Sequence, residues 1–245
     1  MSNPLAVTII VEGLTELLFV KDVLAPHLAA KGVFITPIIL SKPGQKGGDV
    51  RFVRVKNDIA RHLKQRQDSY VSLLVDYYGI GHDWPGLDSV TPGSSPNDIA
   101  STICQATQAA IDADLTEYRS DKRFVPHISI HEFEALLFSE PAILAKSLGV
   151  DREKIDAIIE ECGEPEAIDH SSQTSPSKRI EGLHSRFKKT SNGVAIARAI
   201  GIEKMRSKCP VFNGWLERLE SLTTRVSGVR PYDKRNRDRA GHAEY

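Results

Sequence analysis

Apolar positions along this chain alternate between two kinds of pattern. Leu5–Val11, LAVTIIV, is a short, continuous, β-branched run of the kind that forms a buried strand, and Leu17, Val20, Leu24 and Leu28 then recur at helical spacing. Val33–Leu40, VFITPIIL, predicts a second strand; its Pro37 has no N–H for a ladder and argues for an edge position or a bulge. Beyond the glycine-rich SKPGQKGGD, an amphipathic helix is expected over about Val50–Arg66. YVSLLVD, Tyr70–Asp76, gives a third strand and closes on an acid. The Gly/Pro/Ser-rich stretch Tyr78–Pro96 reads as a loop, and Asn97–Tyr118 as a helix behind an Asn or Asp cap. FVPHISI, Phe124–Ile130, gives a fourth strand, and HEFEALLF starts a helix directly after it.

Strand and helix alternating in this way predict a Rossmann-like α/β fold, a mostly parallel sheet with right-handed crossovers, flanked by helices. From about Pro141 onward only helical patterns appear. The expected organisation is an α/β domain over residues 1–140 and a helical C-terminal subdomain with a basic tail over residues 141–245.

Three of the four strands end on or near an acid: Glu12 after the first, Asp76 at the end of the third, and Glu132 one residue beyond His131 after the fourth. In an open α/β sheet the carboxyl ends of the strands form the crevice where ligands sit. Carboxylates that converge there repel one another unless a cation neutralises them, and an all-oxygen shell suits Mg²⁺ or Mn²⁺ better than zinc. Glu16, one helical turn beyond Gly13, would reach the same crevice and complete a second metal position. Glu134 is a further candidate ligand, with a surface helix position as its alternative, and capping of the following helix is the alternative for Glu12. His131 begins H-E-x-x but Ala135 occupies the fifth position, so the zinc-protease motif fails; a proton shuttle and a structural hydrogen bond both stay open for this histidine.

Charge sharpens the picture. Residues 1–177 carry 16 Lys/Arg against 25 Asp/Glu, and residues 178–245 carry 16 against 7, so a net charge of zero divides into an acidic part and a basic part. Such a split suits an acidic site joined to a polyanion-binding face, and equally a solvated basic surface docked on the acidic part. In QTSPSKRI, Ser175 reads as a helix cap and Pro176 as the first helical residue, so Ser177, Lys178 and Arg179 occupy the first turn. Cations there oppose the helix dipole unless an anion is expected, which makes these residues a candidate phosphate site; an ion pair with the acidic domain is the alternative. Metal-assisted phosphodiester hydrolysis combines these parts. Glu12 and Asp76 would bind the metal, Glu16 and Glu132 a second ion or the attacking water, and Lys178 would offset developing charge. The stretch RVSGVRPYDKRNRDR would track a DNA or RNA backbone without reading sequence. No aromatic-rich platform for single strands is visible in the sequence.

Composition excludes little else. No apolar run approaches the roughly 18 residues of a membrane helix, and no signal-peptide pattern is present, so a cytoplasmic location is expected. Cys104, Cys162 and Cys209 fit neither a disulfide framework nor a zinc site.

The VEGLTE that follows the first strand, and the aspartate closing a later one, resemble the Toprim arrangement of topoisomerases, primases and overcoming-lysogenization-defect (OLD) nucleases. Over nearly its whole length the chain also resembles the bacterial family called domain of unknown function 4276. VEGLTE, LAPHLAAKGV, the Gly47–Gly48 pair, LLVDYYGI, ISIHEFEALLF, GEPEAID, TSPSKRI and GVAIARAIGIEKMRSKCPVFNGWLERL occur in order. The Toprim likeness puts Glu12 in place of its invariant glutamate and Asp76 in place of the first acid of its D-x-D pair, with Tyr78 where the second would stand. Three outcomes stay open: Glu132 or Glu134 supplies the missing ligand, the site holds one metal, or it is inactive. OLD nucleases carry an ATPase on the same chain, whereas this sequence has no G-x-x-x-x-G-K-[ST] loop. The resemblance therefore implies a separately encoded ATPase partner, in a phage-defence pair, and leaves a homo-oligomer open. The alternative function is a catalytically silent nucleic-acid-binding or regulatory subunit of an ATPase complex.

Overall fold

The computed structural model describes residues 5–41, 50–168 and 173–227. β1 (Leu5–Val11) is flanked on one side by β2 (Val33–Ile39) and on the other by β3 (Ser69–Asp76), all parallel. Its residues are apolar on both faces because both faces are covered. β2 lies at the edge, where Pro37 is tolerated. The other side of β3 carries β4 (Phe124–Val125) and then β5 (Ile128–Ser129). The strand expected over Phe124–Ile130 is thus two short ones, divided at Pro126–His127, since Pro126 cannot donate to β3.

One sheet face is covered by α3 (Phe52–Gln65) and α4 (Pro96–Leu115). Val55, Ile59 and Leu63 of α3, and Ile103, Ile111 and Leu115 of α4, meet Ile10, Val71, Leu73 and Val75 of the strands. Ser95 rather than an Asn or Asp caps α4, its Oγ accepting the Asp98 N–H at 3.2 Å, with Pro96 at the first helical position. The other face packs against α1 (Leu14–Phe19), a π turn at Val20–Leu24 and α2 (Ala25–Ala29). After the short α5 (Ser120–Arg123), the helix expected from HEFEALLF forms as a 3₁₀ helix, Phe133–Ser139, beginning two residues into that segment.

Beyond it come α6 (Pro141–Leu148), α7 (Arg152–Cys162), α8 (Pro176–Leu183), α9 (Val194–Ile200), α10 (Ile202–Lys208) and α11 (Pro210–Ser227). They complete the second face: Trp215, Leu216 and Leu219 of α11 share one core with Val7, Ile9 and Val11 of β1. The Trp215 indole donates to Ser72 Oγ at 2.9 Å, and Ser72 donates to the Val125 carbonyl at 2.7 Å, so a C-terminal helix is tied into the sheet interior. No described helix is long and apolar enough to cross a membrane, and the cysteines are free thiols.

The motif GEPEAID gains a structural role here. Glu166 is buried and accepts the Val211 and Phe212 N–H groups at 2.8 and 2.9 Å, satisfying the otherwise orphaned start of α11. Burial pushes its carboxyl up to about 7 against those two bonds. A carboxyl whose pKa is higher folded than unfolded contributes stability at low pH that is lost as pH rises through the folded value. The stability difference between wild type and Glu166→Gln, followed by urea unfolding, is therefore expected to fall between about pH 4.5 and 7 by up to about 3 kcal/mol. A flat difference curve would rule this out.

Candidate carboxylate site at the strand ends

Parallel register sets the site. Val11 pairs with Leu74, so Glu12 leaves β1 close to where β3 reaches Asp76, and Asp76 in turn pairs with Ser129, three residues before Glu132. Two glycines let carboxylates approach the backbone closely here. A Cβ on Gly79 would lie 2.8 Å from Glu12 Oε2, and one on Gly13 would lie 3.1 Å from Glu16 Oε2, so the backbone abuts both carboxylates.

Asp76 is partly accessible to solvent but crowded by protein. Desolvation pushes its carboxyl well above the usual carboxylate range, and the charges of Glu16, Glu12, Glu134 and Glu132 push it further. Every acid singled out from the sequence thus bears on one crevice. Glu134 is buried, and its carboxyl is raised to about 7, mainly by burial. Its Oε1 has no hydrogen-bond partner, an arrangement that favours a cation or proton at that oxygen. Among the described residues, no three His, Cys, Asp or Glu side chains are already drawn together as a metal-binding group.

A cation that no sequence pattern marks stands beside two of these acids. Lys189 Nζ lies 2.8 Å from Glu132 Oε1 and 3.4 Å from Glu134 Oε2. It opens a π turn, Lys189–Gly193, which feeds α9. The lysine pair of FKKTSNG resembles any solvated basic run; only the fold carries it to the strand ends. Glu132 is engaged on both oxygens, since its Oε2 accepts the Ser177 N–H at 3.1 Å. Burial opposes ionisation of Glu132, but these hydrogen bonds win and hold its carboxyl below the ordinary value.

The first turn of α8 therefore faces a carboxylate of the protein itself, through the Ser177 backbone. Lys178 pairs with Glu181 at 2.7 Å along its own helix. Arg179 grips Glu161 of α7 through two nitrogens, at 2.9 and 3.1 Å, and donates to the Thr174 carbonyl. These pairings hold Lys178 and Arg179 on acids of α8 and α7, whereas Lys189 lies against Glu132 and Glu134. His131 is buried and stacks on Tyr78, with ring centroids 5.6 Å apart, and Tyr77 meets Tyr78 edge-on at 5.0 Å. Tyr78, two residues beyond Asp76, thus joins Tyr77 and His131 in an aromatic cluster after β3. Gly47–Gly48 and residues 228–239 of the basic stretch lie outside the described residues.

The model of the family Domain of unknown function (DUF4276) matches residues 11–220, from the end of β1 into α11. The chain belongs to this family. No curated protein matches it. Among solved structures, the DUF4276 chain is similar to the C-terminal region of the Burkholderia pseudomallei OLD protein. Identity is 14%, 90% of this chain and 98% of that one are covered, and the TM-score is 0.43. It is similar as well to the C-terminal region of the Xanthomonas campestris pv. campestris OLD protein, with 14% identity, 90% and 95% coverage and a TM-score of 0.40.

Proposed function

We propose that this DUF4276 protein is a divalent-metal-dependent phosphodiesterase acting on DNA or RNA. One observation carries the reading: Asp76, at the end of β3, is crowded by four glutamates from other elements, two of which, Glu132 and Glu134, pair with Lys189. Nothing in packing requires so much like charge in one crevice, and it costs stability unless a cation is held there. The oxygen-only donors fit Mg²⁺ or Mn²⁺. Glu12, Asp76 and Glu16 would hold the ion, which when bound supplies water activation and neutralises charge on the phosphate.

The chain's own residues supply the rest. Lys189 offsets negative charge at the crevice and fixes Glu132, whose other oxygen is fixed by the Ser177 N–H. Glu134, with an unpartnered oxygen and a carboxyl near 7, is suited to accept a proton at neutral pH. A separately encoded ATPase and a role in phage defence extend the proposal through the OLD resemblance read in the sequence. The second reading, a silent binding subunit, draws on Tyr78 in the place of an acid and on the closure of Glu132 by Lys189. Incubating the purified protein with plasmid, single-stranded DNA and total RNA, in Mg²⁺, Mn²⁺ or EDTA, separates the two. Metal-dependent cutting supports the nuclease; binding without cutting, even with the ATPase and ATP, supports the silent subunit.

Lys189 gives a further test. It is more than a third exposed, so replacing it by Gln is expected to cost less than breaking a fully buried pair, about 1–3 kcal/mol in EDTA. Mg²⁺ should restore part of that loss, because a divalent ion takes over neutralisation of the acids. Thermal melts in EDTA and in Mg²⁺ read both effects, and equal losses in the two buffers would separate Lys189 from the metal site.

A further inference from the structure

Away from the carboxylates, a cleft of about 390 Å³ opens between α4 and α11, with the edge strand β4 and the Pro126–His127 break as its floor. That volume lies within the range of small-molecule sites. Its walls are one face of each helix: Ala100, Cys104 and Gln108 from α4, and Val211, Gly214 and Arg218 from α11.

His127 is the group that needs explaining. It is 1% exposed, it lines the cleft, and its Nδ1 has no hydrogen-bond partner. Its ring lies flat on Trp215, 4.4 Å away at 6°, and Trp215 is anchored through Ser72, so packing fixes the orientation of the imidazole. Burial, and then Arg218, hold this histidine well below its ordinary pKa, so it is neutral and each ring nitrogen calls for a partner. Native proteins rarely leave such an atom unsatisfied without a functional reason.

Arg218 is the second such group. One of its nitrogens donates to the Pro126 carbonyl at 3.2 Å, which holds the guanidinium over the cleft, and no described carboxylate lies within ion-pair distance of it. Lys122 also lines the cleft and Asp121 opposes it, leaving one positive charge in excess. Gly214 is a third signal. Glycine in the second turn of an 18-residue helix weakens it, and here the missing side chain widens the cleft: a Cβ would meet only the Arg218 Nη1, at 4.0 Å.

We propose that this cleft binds a small aromatic monoanion, its charged group on Arg218, a polar edge against His127, and its flat body between Cys104 and Gln108 of α4 and Gly214 of α11, above the Ala100–Val211 contact that closes one end. The apolar lining from both helices suits a ring system, and the excess positive charge selects against a cation.

Three probes with one ring system test this: indole-3-acetate, indole-3-acetamide and tryptamine, titrated into ¹⁵N-labelled protein and followed by amide shifts. Indole-3-acetate is expected to saturate at millimolar concentration or below, shifting α4 and α11 amides, with at least about tenfold weaker binding of the neutral amide and none of the amine. Arg218→Gln should remove that preference, and Gly214→Leu, which fills the cleft and raises helix propensity, should abolish binding with the spectrum otherwise preserved. No saturable binding of indole-3-acetate, equal affinity for the three probes, or unchanged binding in a folded Gly214→Leu would overturn the proposal. Because binding is read directly, the result does not depend on whether the protein cuts nucleic acid.

Discussion

Asp76→Asn is expected to abolish metal-dependent cleavage, by on the order of 10³-fold or about 4 kcal/mol of transition-state stabilisation, while making the metal-free protein more stable. The two effects have one cause. Asp76 is desolvated and faces Glu16, Glu12, Glu134 and Glu132, so its ionised form is disfavoured in the fold without a metal. A carboxyl in that position costs stability above its unfolded pKa, and the neutral amide, nearly the same in shape, removes the cost. In EDTA at pH 7 the variant should melt higher, by about 2–4 °C for each kcal/mol relieved. Mg²⁺ should raise the melting temperature of the wild type and leave the variant nearly unmoved. A variant that is both less stable and inactive would mean that Asp76 serves the fold. One that is more stable and still cuts would remove it from the site.

Trp215→Ala should be the most destabilising single change considered for this protein, about 3–5 kcal/mol by urea unfolding. The side chain is fully buried where α11 meets the sheet, and its loss removes more than volume. Ser72 Oγ would lose the indole donor, and the ring of His127 would lose the surface on which it lies. Trp215→Phe keeps most of the ring packing and loses the hydrogen bond, so a smaller cost of about 1–2 kcal/mol is expected. Unfolding of both variants should remain a single transition, because α11 and β1 belong to one core. A separate early transition confined to the C-terminal helices would instead show that they fold as an independent unit.

The boundary between what was legible in the sequence and what was not follows the range of the forces involved. Strands β1 and β3 were readable because a parallel strand covered on both faces must be continuously apolar, and β2 because its apolar, β-branched run is itself a strand signal; both are local. Pro37 marked an edge position or a bulge for the same reason, since a missing N–H is a property of the residue itself, and the sheet order settles it as the edge. The break at Pro126–His127 depends on which side of β3 the segment joins, and the 3₁₀ form of Phe133–Ser139 is a geometry that an apolar helical pattern does not distinguish from an α-helix. Glu12 and Asp76 stood out because strand ends in this architecture face a common crevice. Lys189, 57 residues from its partner Glu132, has no such local mark, and its role comes from the path of the π turn before α9. The first turn of α8 shows the same limit from the other side. Its sequence marks an anion site, and the anion it meets through Ser177 is Glu132, a carboxylate that only the tertiary fold could deliver. Sequence alone determined most elements and the chemistry each could carry, because propensity and hydrophobic pattern act over a few residues; the fold decided which charges meet at the strand ends, because Lys189 and Glu132 lie far apart along the chain.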